Sequence, residues 1–248
     1  MHENIEILIA ACIFATVFLL PWPKEALDER FKGFRSVVSF AAGVSVAYVF
    51  MSLLPELAEG SEAFAESAEH LHLPYPDYVV YAAGLAGFML FWSLDHLVHR
   101  SRSRRKEEGR QVTRADTEFL ISLLGVALYA WIVTYLLRER VESGTHTVIP
   151  YATAMALHFV SLRHALRHEY GRLYDGFGKW ILALFCFVGW VMALQVDLPA
   201  TVVYPLLGFL AGSVIMSTTV GELPKEKEGK MWPFLVGGLA FAAILVLV

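Results

Sequence analysis

Apolar runs long enough to cross a hydrocarbon layer recur along almost the whole chain, and this repetition restricts the fold more than any other feature. A helix of about 20 apolar residues matches the ~30 Å core of a bilayer. Eight such runs are read, at residues 5–20, 36–54, 78–98, 117–137, 150–168, 177–196, 200–220 and 231–248. In lipid a backbone must satisfy its own polar groups, so each run is expected as a helix. Composition agrees: 56% of residues are hydrophobic and 18% charged, with a mean hydropathy of +0.53, against about 25% charged residues in a soluble domain. The expected fold is an all-α integral membrane protein, one domain over residues 1–248 arranged as a bundle of eight transmembrane helices.

The first run follows only Met1-His2-Glu3-Asn4. It has no basic leader and no small-residue cleavage site, so it reads as a retained helix. Cys12 and Cys186 both fall in apolar runs without C-x-x-C spacing, which points to neither a disulfide framework nor a zinc knuckle.

Charge fixes an orientation. Every Lys and Arg except Arg138 and Arg140 falls in four connections, at residues 24–35, 100–114, 163–179 and 225–230. With eight spans these are alternate loops, and the positive-inside rule puts them in the cytoplasm and both termini outside. A plasma or inner membrane suits this arrangement. The run RSRSRRKEEGRQVTRA at 100–115 is expected as a basic cytoplasmic loop.

Several polar groups interrupt this apolar pattern. His158 stands in the middle of the fifth span, with Arg163, His164, Arg167 and His168 near its end. An imidazole at membrane depth is costly unless it faces a bundle interior or a watery cavity, so it marks either a functional site or a satisfied interior histidine. Asp95, His96 and His99 end the third span at a spacing that suits a metal or proton site, or an interfacial cluster reaching for water. From Glu56 to Asp77 the chain has no Lys or Arg, and Glu59, Glu62, Glu66 and Glu69 recur every three or four residues before His70 and His72. Such a stripe forms one face of a short helix, either simply solvated or gathering cations.

Three strings carry a resemblance to a known family. SFAAGVSVAYVFMSLLPE at 39–56, AGSVIMSTTVGELP at 211–224 and the segment from His158 through Gly176 resemble the second, seventh and fifth helices of the ZIP (Zrt/Irt-like) metal transporters. The likeness extends over essentially the whole chain and implies a divalent metal ion such as zinc as cargo, with His158 and Glu56 as metal ligands. The family's other ligands are replaced: Tyr129 and Val133 stand where its fourth helix has a His and an acid, Phe159 and Leu162 where its fifth has two acids, and Ser52 where a His often precedes Leu-Leu-Pro. A single imidazole amid Tyr, Phe and Leu cannot stand in for the several ligands such an ion needs. The remaining candidates for a path are Ser45, Ser52, Tyr129, Thr134, Ser161, Ser213 and Ser217, each also readable as a packing hydroxyl.

Three functions fit these features. The first is a ZIP-like permease working by alternating access through a degenerate site. The second is an enzyme, an intramembrane zinc hydrolase built from His164, His168 and Glu169 with Asp95, His96 and His99. Arg163 and Arg167 argue against it as cations on a solvated turn, so a non-enzyme is expected. The third is a non-transporting protein of the same architecture that docks partners through its basic loop, where anionic lipid is also attracted. The expected partners are the lipid bilayer, a divalent cation and a second copy of the chain, without nucleic acid and without a resident cofactor.

Overall fold

The computed structural model describes residues 2–20, 32–108, 113–142, 145–222 and 230–247, and every regular element among them is helical. α1 (His2–Leu19) is followed by α2 (Lys32–Tyr48), which passes through a π-helical turn at Val49–Leu53 into α3 (Leu54–Ser67). Then come α4 (Val79–Glu108), α5 (Thr113–Tyr135), a short α6 (Leu137–Glu142) and α7 (Thr145–Leu173). A π-helical turn at Tyr174–Gly178 leads to α8 (Lys179–Gln195), and α9 (Ala200–Met216) ends in a third such turn at Ser217–Glu222 before α10 (Met231–Leu247).

Five stretches are long and apolar enough to cross a membrane: Ser36–Ser67, Pro76–His96, Thr117–Val141, Val148–Gln195 and Ala200–Val220. Ile5–Leu19 and Met231–Leu247 are shorter apolar helices. The outer surface is apolar as well, with Leu85, Met89 and Trp92 exposed on α4 and Leu239 and Val246 on α10. Patches of that extent suit lipid better than water.

The 48-residue stretch Val148–Gln195 is not one straight rod. Near its start Tyr151 bonds the carbonyl of Val133, and near its end Arg138 bonds the carbonyl of Ala193. In the middle, Tyr170 and Phe177 both pack on Phe119 at the other end of α5. α7 and α8 therefore run antiparallel, and the chain folds back across Tyr170, whose φ of −124° and ψ of 22° leave the helical range, and the π-helical turn that follows.

The helices sort into two groups. α1, α5, α7 and α8 pack on one another, with α6 against α7 and α1. α4 lies along α9, α10 along α2, and α3 against α9 and α4. The second group is held by close backbone approach: a Cβ on Gly212 would lie 2.6 Å from the carbonyl carbon of Gly84. The Gly208/Gly212 pair is thus the contact face between α9 and α4, as small residues allow in lipid. The groups meet chiefly where α2 faces α7.

Three boundaries differ from the sequence expectation. The second span does not stop at residue 54. Pro55 lies in the first turn of α3, directly after the π-helical turn, and the helix runs on past it to Ser67. The acidic stripe is its solvated side, with Glu59, Glu62 and Glu66 exposed. Residues 100–108, expected as loop, continue α4. Lys, Arg and Glu are good helix formers, and nothing interrupts them before Gly109. The fourth span yields at Leu136, between α5 and α6.

Candidate functional site: a polar seam between the helix groups

Polar side chains are costly in an apolar bundle unless partnered, and here they gather where the two groups face each other. His158, on α7, is 1% exposed, and its Nε2 lies 3.3 Å from Oγ of Ser217 at the end of α9. The ring of Tyr129 on α5 meets that imidazole edge-on at 5.6 Å between centroids. The Tyr129 hydroxyl points to the sulfur of Met155, 3.8 Å away. Three helices from both groups thus enclose His158.

Toward the other end of α7, Tyr151 packs edge-on against Tyr48 of α2. Above Tyr151 sits the guanidinium of Arg140, 5.2 Å from the ring centroid, near enough for a cation–π contact. Arg140 is ion-paired to Oε2 of Glu56, and Ser52 donates to the other carboxylate oxygen at 2.6 Å. Both charged side chains are only 16% exposed. The hydroxyls of Ser45, Ser161 and Thr218 are buried without a hydrogen-bond partner among the described residues.

The expected residues divide accordingly. His158, Tyr129 and Ser217 come together, as do Ser52 and Glu56. Glu56 faces a guanidinium in this conformation. Thr134 and Ser213 bond carbonyls of their own helices, Ala130 and Phe209. Thr134 packs against Gly189 of α8, and Ser213 against Gly87 of α4, so both lie inside a group. Among the described residues no three His, Cys, Asp or Glu side chains gather as a metal-holding group. His96 is exposed and stacked on Trp92, and His164 and His168 lie 6.1 Å apart on one face of α7. Asp95 is half-buried at the end of the third span, and the side chain of His99 lies outside the described residues.

Phe159 follows His158 on α7. It is fully buried, with ring contacts to Phe14, Phe18 and Tyr129. Phe159→Glu is expected to destabilise the protein by about 3 kcal/mol, because a carboxylate there has only aromatic neighbours. Thermal unfolding of the purified variant in detergent checks this.

Sequence reasoning missed four groups. Arg163, read as a solvated cation, is 4% exposed and donates to the carbonyls of Val17 and Leu20 at the end of α1. Tyr48 and Tyr151 look like ordinary apolar filler in the sequence. Arg140 had a signal, since it and Arg138 break the charge pattern. Arg138 bonds the carbonyls of Ala193 and Val196 and pairs with Asp197.

No protein-family model matches the chain, and no curated protein sequence matches it. Fold and surface define its class, an all-helical protein with helices apolar and long enough for a membrane.

Proposed function

We propose that this chain is a ZIP-like membrane permease of eight spans, with its basic connections in the cytoplasm and both termini outside, and that the seam between its helix groups is the path. The observation that carries this is that buried His158 and Tyr48 and half-buried Ser217, Glu56 and Arg140 lie along one boundary between two groups of helices. Polar groups retained in an apolar bundle mark substrate paths, and rocking of one group against the other exposes such a boundary to each side in turn. The folding back of α7 on α8 supports the count of eight. The cargo class, a divalent cation such as zinc, comes from the resemblance, and His158 with Ser217 is its contact point.

Ion uptake by liposomes containing the purified protein, with a panel of divalent ions, tests this. His158→Ala is expected to lower the flux at least about tenfold, the loss of one good ligand interaction. Equal flux in both proteins would remove His158 from the path.

Phe159 favours a second reading. Its dry aromatic surroundings, where the family has an acid, suit a protein that keeps the architecture but serves as a partner or regulator. Absence of flux for every ion tested would select that reading.

A further inference from the structure

We infer that the Glu56–Arg140 pair is a gate that closes one end of the seam and must part for that end to open. This rests on the permease reading, but the gate is measurable without any cargo. The pair joins the two groups, with Glu56 on α3 and Arg140 on α6. Arg138–Asp197 and Arg167–Asp175, by contrast, stay within the first group. Under it, Tyr151 and Tyr48 meet ring to ring across the same boundary, so charge and aromatic surface together fill this end.

The elements bearing the pair are built to move. Glu56 follows directly on the π-helical turn Val49–Leu53 and on Pro55, which lacks an N–H. Such turns interrupt helices at functional sites, and proline removes a backbone bond. Arg140 lies on the six-residue α6, set off from α5 by a turn at Leu136. Within the groups, glycine contacts and backbone carbonyls lock the helices. At this end the Glu56–Arg140 and Tyr48–Tyr151 contacts are made by side chains, which can separate without breaking a helix.

The roles within the pair differ. Ser52, four residues before Glu56 on the same helical stretch, holds one carboxylate oxygen and leaves the other to Arg140. The carboxylate stays oriented when the guanidinium leaves. Arg140 is the mobile half, swinging off Tyr151 with α6.

The test is labelling of a reporter Ser45→Cys in the full-length protein, in a Cys12→Ala background, with a membrane-impermeant maleimide. Ser45 is buried one helical turn before Tyr48, below the closed end. Single substitutions leave an uncompensated charge that can prevent folding, so the deciding variant is the double Glu56→Gln/Arg140→Met, which leaves none. It is expected to label at least about tenfold faster than its parent, as a closed state destabilised by one lost cross-group contact requires. The charge-swapped Glu56→Arg/Arg140→Glu is expected to return the rate toward the parental one. A double variant within about twofold of the parent, or a swapped pair labelling as fast as the neutral one, overturns the gate. Ion flux with unchanged labelling would keep the permease and reject the gate. Faster labelling in a protein that moves no ion would do the reverse.

Discussion

Gly212→Val is expected to cost the protein its folded second helix group. Gly212 and Gly84 touch through backbone atoms, so a new side chain meets the Gly84 carbonyl and its carbon, not a rotatable group that can step aside. Overpacking a core relieved by rotamer change costs roughly 1–3 kcal/mol, and with none available the penalty lies at or above the top of that range. Relief requires α4 and α9 to separate, which also strips the contacts at Gly87 and Gly208, each set against the partner helix's backbone. The expected result is loss of the monodisperse peak in size-exclusion chromatography after detergent extraction, with Gly212→Ala intermediate. A Val variant as stable as the parent would mean that α4 and α9 do not pack through their glycines.

Arg163→Ala is the second large effect, and it acts on the other group. Four carbonyls at a helix C-terminus have no partner in their own helix. For α1, Arg163 supplies donors to the carbonyls of Val17 and Leu20, and Tyr174 supplies another to Phe18 at 2.9 Å. Removing the guanidinium leaves two acceptors unsatisfied at about 1–3 kcal/mol each, part of which is regained because a cation no longer has to be desolvated. The net loss is about 3 kcal/mol, a fall in unfolding temperature of roughly 6 °C or more for a chain of this length. Arg163→Lys is expected to recover less than half of it, since an ammonium cannot span two carbonyls as the guanidinium fork does. Full recovery by Lys would show that charge near the helix end, and not the paired geometry, is what matters.

Much of this molecule is legible residue by residue. That the chain is helical with a lipid-compatible surface follows from run length and backbone chemistry, because each apolar run must satisfy its own N–H and C=O groups wherever it sits. His158 stood out for the same local reason: its transfer cost belongs to the residue itself. Arg138 and Arg140 stood out as exceptions to a charge rule, without any indication of why. A G-x-x-x-G spacing such as that of Gly208 and Gly212 marks close helix packing in general, but it does not say that Gly84 is the opposing surface.

Partners were beyond reach because they are set by which helices pack together. Glu56 and Arg140 are 84 residues apart in the chain, and Arg163 reaches back 146 residues to Val17. A sequence states how costly a buried charge is, whereas only the packed arrangement supplies the group that offsets it. For that reason Arg163 read as solvated and proved buried, and Ser217 emerged from several equivalent serines as the one beside His158. The helices and the surface they show to lipid come from local chemistry. The seam exists only once two groups of helices are laid face to face, since there the costs of burying Glu56 and His158 are met by Arg140 and Ser217 from the opposite group.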